Sequence, residues 1–274
     1  PDKLALEQST SESVAKRKAQ FFNGGSVLDM SGGMGIDAHF ISKQVDHLTV
    51  LEKDKKRCAL LQHNLSALNS KNTEVHCGNS VEYLMQYNGR FSTVYIDPAR
   101  RKNEVYDKNT KVFKLEDFRP NVTEIYREIL QKADSLIVKV SPMLDITSIS
   151  KSLGGVNRIV AIAYKNEVKE VLVFKSNASA NVEKTAINII DRNMEEDYFT
   201  ASQGSKEIEY SEAQEYIYEP NKAILKLQVQ NEVGLIYGFK KLDPFTNFYT
   251  SSNIKMDYPG RIFKIKFVLF IVIF

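Results

Sequence analysis

The sequence predicts an α/β fold built on a mainly parallel sheet, and three observations predict it. Short apolar, β-branched runs alternate with amphipathic helical stretches from the start of the chain to about Phe174. A glycine cluster, Gly32-Gly33-Met34-Gly35, follows the first of these runs and opens a helical face. Acidic residues, Asp29, Glu52 and Asp97, close three of the runs. In an open parallel sheet the strand carboxyl ends share one crevice, so these acids are expected in a common cleft.

The chain of 274 residues, 43% hydrophobic, can bury a substantial core, and its length suits two domains. Its formal charge of +3 and pI near 8.7 permit an anionic partner without requiring one. Cys58 and Cys77 fall in a predicted helix and at a strand end, where neither a disulfide framework nor a zinc-ligand spacing is expected. A reducing cytoplasm is the expected location. No signal-peptide pattern opens the chain, which begins at Pro1. Its last eight residues, Phe267 to Phe274, form an apolar run far shorter than the roughly 20 residues that cross a bilayer. No membrane association is expected, and the natural protein is expected to be longer at both ends.

Taken in order, Ser9-Thr-Ser-Glu12 has capping-box spacing ahead of a helix expected from about Ser11 to Phe22. Lys16, Arg17 and Lys18 lie on what reads as its solvated face. Asn23-Gly24-Gly25 ends it, and Ser26 to Met30 is the first strand. The glycine turn lets the backbone approach a ligand closely, and the helix start beyond it offers N–H groups to a carboxylate or phosphate. His47 to Leu51 is the second strand. It ends in Glu52, which a βαβ unit places beside the first turn and within reach of both hydroxyls of a ribose. Asp54 caps the next helix, Lys55 to Asn69. Thr73 to His76 is a third strand, followed by Gly78-Asn79-Ser80 and another helix.

Phe91 to Ile96 forms a fourth strand and delivers Asp97-Pro98 to the crevice. From Arg101 to Arg119 basic residues alternate with Tyr106, Phe113 and Phe118. This pattern suits a nucleic-acid backbone and a stacked base, and equally an ordinary excursion loop. A helix from Asn121 to Lys132, a strand from Ser135 to Val140, and a hairpin of Val156–Tyr164 and Val168–Phe174 complete seven strands, the last antiparallel. Three segments are expected: 1–176 as the main domain, 177–205 as a connector, and 206–274 as a smaller α+β domain.

Asp29-Met-Ser-Gly-Gly-Met-Gly35, Glu52, Gly78-Asn79 and Asp97-Pro98-Ala99-Arg100, as an ordered set, resemble the motifs of Rossmann-like S-adenosylmethionine (SAM)-dependent methyltransferases. Further segments narrow the resemblance: Gln8-Ser-Thr-Ser-Glu12, Tyr95-Ile-Asp-Pro-Ala-Arg-Arg101, Lys139-Val-Ser-Pro-Met-Leu-Asp-Ile146, Tyr218-Glu-Pro-Asn221 and Pro259-Gly-Arg-Ile-Phe263 are similar to bacterial methyltransferases with a THUMP-like C-terminal domain. The resemblance implies a Rossmann-like seven-stranded sheet and SAM as cofactor. It also implies that Asp29, Ser31, Gly32, Gly33 and Gly35 cradle the methionine part, Glu52 binds the ribose, and Asn79 with the Ser80 backbone meets the adenine. Thr10-Ser11-Glu12 resembles the Thr-Pro-Glu segment of trimethylguanosine synthases, which implies that Thr10 lies against the cofactor's carboxylate.

Two positions depart from the pattern: Ser31 replaces the first glycine of the usual turn, and Ala99-Arg100 stand where many amino-methyltransferases have Pro-aromatic. The implied acceptor is a nitrogen of an RNA base, in tRNA or rRNA. Asp97 and the Pro98 carbonyl would direct it, and Arg100 and Arg101 would clamp phosphate. No metal is implied. A ribose 2′-hydroxyl acceptor would instead use Lys18, Asp97, Lys139 and Glu167, with a lysine of lowered pKa as base. A protein or small-molecule substrate and a non-catalytic binding protein are the remaining alternatives. Attack through cysteine on a pyrimidine is disfavoured, because neither Cys58 nor Cys77 follows the fourth or fifth strand.

Overall fold

The computed structural model describes residues 10–100, 114–178, 181–202 and 207–267, with the Arg100 side chain excepted. In chain order the elements are α1 (Glu12–Ala19), β1 (Ser26–Asp29), α2 (Ile36–Ser42), β2 (His47–Glu52), α3 (Lys55–Ala67), β3 (Thr73–Cys77), α4 (Ser80–Gln86), β4 (Phe91–Ile96) and β5 (Ala99–Arg100). There follow β6 (Phe118–Arg119), α5 (Val122–Lys132), β7 (Ala133–Val140), α6 (Ile146–Ser152), β8 (Arg158–Tyr164), β9 (Glu167–Ser176), β10 (Glu183–Ile189) and β11 (Glu196–Ser202). The remainder is β12 (Tyr216–Pro220), α7 (Lys222–Leu227), α8 (Gln230–Ile236), β13 (Lys240–Lys241), β14 (Tyr249–Ser251) and β15 (Gly260–Lys264). Two compact units emerge. One comprises the chain to Ile159 with Lys169–Val182, the other Val160–Val168 with Glu183 onward.

Among the described residues the large sheet has nine strands rather than seven, in the order β11-β10-β8-β9-β7-β4-β1-β2-β3. The two additional strands, β10 and β11, occupy the segment expected as a connector. The alternation of β11, which buries Phe199 and Ala201 between outward polar residues, is that of a half-buried strand, but its acidic composition reads as a turn.

In the first unit β1, β2, β3, β4 and β7 are parallel and β9 runs antiparallel to β7. Val27, Leu28, Leu48, Val50, Val94, Ile96, Leu136 and Val138 are fully buried, as parallel strands covered by helices on both faces require. The registers Asp29↔Val50, Asp29↔Tyr95 and Tyr95↔Ile137 align the strand ends, so the residues that follow emerge at one carboxyl edge. Helix starts are fixed by side-chain caps: Asp54, Asn79, Asn121 and Asp145 accept from the N–H groups of Arg57, Val81, Thr123 and Ser148. Such caps contribute about 1 kcal/mol each. Ser11 occupies the N-cap of α1 without a side-chain cap bond, and Ser9, the first residue of the expected capping box, lies outside the described residues.

Two expectations are overturned. Lys18 is not on a solvated face; it is fully buried, on the side of α1 that carries Val14, Ala15 and Ala19. Cys58 and Cys77 are not separate thiols; they form a disulfide with a Cα–Cα distance of 5.6 Å. The β2–α3–β3 crossover folds α3 back on the sheet, and the register Glu52↔Cys77 brings the end of β3 beside the residues that lead into this helix. The bridge spans 19 residues, and the chain-entropy account assigns such a loop about 3 kcal/mol. The Cys58→Ser/Cys77→Ser variant is expected to lose stability of that order in urea unfolding under oxidising conditions. Dithiothreitol should then destabilise the native sequence and leave the variant unchanged.

In the second unit a four-stranded antiparallel sheet, ordered β13-β14-β12-β15, surrounds Tyr218. This ring is buried, stacks on Phe239 at 4.0 Å and meets Tyr258 edge-on. Its hydroxyl donates to the Asn253 carbonyl and accepts from the Lys255 N–H. Tyr218-Glu-Pro-Asn221 and Pro259-Gly-Arg-Ile-Phe263 are the facing strands β12 and β15, with Glu219 ion-paired to Arg261. Gly260 is obligatory because a Cβ there would collide with the Glu219 carbonyl. Asn221 caps α7 through the N–H groups of Ala223 and Ile224. The apolar terminal run lies outside the described residues beyond Phe267.

Candidate functional site

A cavity of about 730 Å³ opens at the carboxyl edge of the parallel strands, within the first unit. Its size is that of a small-molecule or cofactor site. The turn after β1 forms its floor. Gly33 and Gly35 hold φ of +53° and +86°, which L-residues with a Cβ rarely adopt. Gly32 lies so close to Val50 and Leu61 that a Cβ would overlap both. Ser31, where the usual turn has glycine, keeps a negative φ, so the substitution is accommodated without strain.

Ser31 does more than fit. Its N–H and hydroxyl both donate to Asp29 Oδ1, at 2.8 and 3.0 Å, while its Oγ accepts from the Asp97 N–H at 2.8 Å. Asp29 therefore lies beneath the cavity rather than in its wall, and it ties the glycine turn to the loop after β4. Burial raises the Asp29 carboxyl from its ordinary range to about 7. The Ser31 bonds oppose the rise, and the Asp37 and Asp97 charges add to it. In the unfolded chain this group ionises near pH 3.9. Between about pH 4 and 7 the folded state therefore binds the extra proton, and stability falls as pH rises through that window before levelling off. Asp29→Asn retains the acceptor oxygen. It is expected to gain stability on the order of 4 kcal/mol above pH 7 and little near pH 4, read as the difference in urea midpoints across pH.

Glu52 lines the opposite wall and is 7% exposed. Its Oε2 accepts from the Gly33 N–H at 3.0 Å; its Oε1 accepts from the Asp54 N–H at 2.8 Å and from Arg57 at 3.0 Å. Oε2, with its single donor, retains accepting capacity for a hydroxyl, whereas Oε1 is taken up by Asp54 and Arg57. Asn79 and Ser80 lie in the same wall. The Asn79 side chain serves as the cap of α4, with Oδ1 accepting from Val81 and Nδ2 donating to Glu82.

The third wall contains Asp97, Lys139, Asp37 and Thr10. Lys139 Nζ donates to Asp97 Oδ2 at 2.7 Å and to Thr10 at 3.3 Å, and approaches Glu170 at 3.8 Å. Behind it the buried Lys18 ammonium bridges Asp37 at 2.7 Å and Glu170 at 2.9 Å. The Tyr95 hydroxyl donates to Asp37 at 3.0 Å. Burial pulls the Lys139 ammonium down, but the Asp97, Glu170 and Asp37 carboxylates together raise it above the ordinary lysine value. Burial raises Glu170 despite Lys18 and Lys139. The four-residue Lys-Asp-Lys-Glu set is thus assembled, with Glu170 in place of the expected Glu167, which begins β9 three residues earlier.

Pro98 is buried and is not part of the cavity wall. Arg100 pairs through its backbone with Phe118 in a short β5–β6 ribbon. Its side chain, and the whole of Arg101, lie outside the described residues, as does most of the basic aromatic segment. The ribbon returns the chain to the cavity, where Arg119, Pro120, Asn121 and Glu124 complete the rim. Sequence reasoning places Arg119 in the basic aromatic segment and gives no site role to Pro120, Asn121 and Glu124; the available signal is Pro120-Asn121, a turn and helix cap that start α5 at the cavity. Among the described residues no cluster of His, Cys, Asp and Glu has the arrangement of a metal site, and no helix is long and apolar enough to cross a membrane.

Residues 11–146 match the family model described as conserved hypothetical protein 95, and residues 216–259 match a ferredoxin-like domain. No curated protein matches the chain. Among solved structures it is similar to a candidate methyltransferase from Porphyromonas gingivalis W83, at 29% identity and a TM-score of 0.85, over 96% of this chain and 66% of that one. The chain thus spans just under two thirds of that protein's length. Much weaker likeness joins it to an rRNA methylase from Streptococcus thermophilus (13% identity, TM-score 0.40, 61% of this chain and 95% of that one). The same holds for a candidate methyltransferase from Streptococcus mutans in complex with SAH (12%, 0.41, 61% and 98%). Neither of these two carries an argument about substrate.

Proposed function

We propose that this chain is a SAM-dependent methyltransferase acting on a nitrogen of an RNA base. The observation that carries the reading is the position of Asp97. It is half-exposed in the cavity wall, its backbone fixed by Ser31 of the glycine turn and its carboxylate by Lys139. The similarity to the Porphyromonas gingivalis protein supports the methyltransferase class.

The residues present suit the cofactor. The left-handed glycines leave room for a ligand against the turn, and Glu52 lines the cavity with Oε2 left as a hydroxyl acceptor. Gly32, Gly33, Gly35 and Thr10 would hold its methionine part, Glu52 its ribose, and the Asn79–Ser80 turn its adenine. When bound, SAM supplies a methyl group already activated by a sulfonium. What remains for the protein is alignment and management of one proton. Asp97 Oδ2 is held by Lys139, which orients the carboxylate toward an incoming amine. It can accept an N–H of that amine and aim the nitrogen lone pair, and the proton lost on methylation passes to Asp97 or to solvent. The Pro98 carbonyl expected to share this role belongs to a buried residue outside the cavity wall.

The ribose 2′-hydroxyl reading has a specific observation in its favour, the assembled Lys18, Asp97, Lys139 and Glu170 set. It is the weaker reading. A base must lose its proton, and the three carboxylates around Lys139 hold its ammonium charged; Lys18 is wholly buried and cannot reach a substrate. RNA as partner is supported by the basic and aromatic segment after Arg101 and by Arg119 on the rim. The test is incorporation of labelled methyl from SAM into total RNA of a strain lacking the gene. Label in mononucleotides after alkaline hydrolysis is expected, with substrate affinity falling steeply with salt, whereas label in alkali-resistant dinucleotides would mark a 2′-O-methyl group. Label in the protein fraction alone, with little salt dependence, would overturn the RNA assignment.

A further inference from the structure

A second cavity, of about 520 Å³, lies at the other edge of the parallel strands. The register Ser135↔Ser176 sets the end of β9 beside the start of β7, and there Lys175 meets the Gly154-Gly155 turn after α6 and the C-terminal half of α5. Helix α5 divides the two cavities. Its Glu124 and Ile125 line the first, and its Tyr126, Arg127 and Gln131 line the second.

The charge of the second cavity is one-sided. Two cations attend the Tyr126 ring, with the Arg127 guanidinium 5.6 Å and the Lys175 ammonium 5.8 Å from its centroid. Arg127 Nε donates to the Tyr126 hydroxyl at 3.2 Å, and Lys175 Nζ reaches the Gly154 carbonyl at 3.5 Å. Each cation keeps further N–H groups for a ligand. Among the described residues no Asp or Glu lines this cavity, and neither cation has an ion-pair partner.

The backbone adds little that would oppose an anion. A helix end turns unpaired carbonyls outward, but here they are occupied. The Leu130 carbonyl accepts from Asn177 Nδ2 and that of Gln131 from Arg90, while the Ser150 and Lys151 carbonyls accept from the Gly155 and Gly154 N–H groups. Donors therefore exceed acceptors, and the complementary ligand brings negative charge and acceptors only. Two separated cations, one of them a guanidinium, suit the tetrahedral oxygens of a phosphate better than the two coplanar oxygens of a carboxylate.

We propose that this second cavity is a phosphate-binding site, with Arg127 and Lys175 as its binding residues. The proposal rests on the RNA reading above only for the source of the phosphate. Helix α5, of 11 residues and about 16 Å, starts at the first cavity and runs beside the second, so a strand held at the first can follow it. A free phosphate ester offers the same chemistry.

The test compares the native full chain with Arg127→Gln/Lys175→Gln and with Lys43→Gln/Lys71→Gln, which removes the same charge from exposed positions elsewhere. Each is titrated without cofactor, by anisotropy with a labelled single-stranded RNA and by calorimetry with inorganic phosphate and adenosine 5′-monophosphate. Arg127→Gln/Lys175→Gln is expected to lose about 10-fold in RNA affinity, with the slope of log affinity against log salt reduced by about 1, and the control pair to lose far less. Arg127→Gln alone, at an exposed position, should show part of the same loss. Lost binding of phosphate and monophosphate with RNA affinity unchanged upholds the site and assigns it to a free ester. Phosphate binding by a native chain that binds no RNA removes the RNA reading and leaves the site standing. Unchanged affinity of Arg127→Gln/Lys175→Gln for all three probes overturns the proposal, as does an equal loss in both double variants or a native chain that binds none of the three.

Discussion

Replacing Asp97 by alanine is expected to lower methyl transfer by about 10²- to 10⁴-fold while changing cofactor affinity far less. The magnitude is that of a positioned group which aligns a nucleophile and takes its proton. The fold should tolerate the change. The Asp97 contact with Ser31 runs through the backbone N–H, which alanine keeps, and the side chain is 40% exposed. Lys139 would retain Thr10 at 3.3 Å and Glu170 at 3.8 Å, so no ammonium is left buried alone. Asp97→Asn, which preserves one acceptor oxygen and loses the charge, should fall between alanine and the native residue. Turnover measured under saturating SAM separates these outcomes from loss of binding. Undiminished turnover in Asp97→Ala would remove this residue from the chemistry.

The largest effect on stability is expected at Lys18. Its ammonium is fully buried and joins Asp37 on α2, 19 residues on, to Glu170 on β9, 152 residues on. Taking one partner out of a buried ion pair strands the others without solvation, and Lys18→Ala is expected to cost about 3–5 kcal/mol. Lys18→Met, which refills the volume, should recover only part of this, because the loss is electrostatic. Combining Lys18→Met with Glu170→Gln should cost less than the sum of the two changes, since the second removes a charge that the first leaves unpaired. Urea unfolding of the four proteins provides the cycle. Strict additivity would show that Lys18 and Glu170 do not interact in solution.

The same residue shows where sequence reading succeeds and where it stops. The parallel strands were legible because Val27-Leu28, Leu48 to Leu51 and Val94 to Ile96 are uninterrupted apolar runs, and a run that ends in Asp or Glu carries that acid to the edge of the sheet. Asp29, Glu52 and Asp97 were identified from this logic. What it could not give is direction: Asp29 points beneath the cavity into Ser31, and the Asn79 side chain turns to cap α4. Lys18 stands in a run of three basic residues, and only the packing of α1 against α2 and the sheet shows that the third faces inward. Sequence reading selects Glu167 rather than Glu170 because composition does not show which acid of β9 the fold buries: Glu170 is 2% exposed and 3.8 Å from Lys139, whereas Glu167 begins the strand at an exposed position. The disulfide is non-local in the same way, since Cys58 and Cys77 meet only once the crossover helix is laid on the sheet. β10 and β11 read as a connector because polar Ser176 to Ala180 and acidic, turn-rich Asn193 to Gly204 bracket the short apolar run of β10, which the fold buries over five of its seven residues.

The physical picture is of a wall with two layers. The front layer, Asp97, Lys139, Asp37 and Thr10, lines the cavity. The rear layer, Lys18, Glu170 and Tyr95, is buried and fixes the front carboxylates by charge and hydrogen bonds. Preorganisation of this kind is what a positioning enzyme requires, because the orientation is set before the substrate arrives.

The account is tested most directly by mass spectrometry of nucleosides from total RNA of cells that carry the gene, cells that lack it, and cells in which Asp97→Ala replaces it. One base-methylated nucleoside is expected to disappear in the deletion strain, to return with the native gene and to stay absent with Asp97→Ala. An identical set of modified nucleosides in all three would contradict the proposed function, and loss of a 2′-O-methylated nucleoside instead would transfer the activity to the ribose.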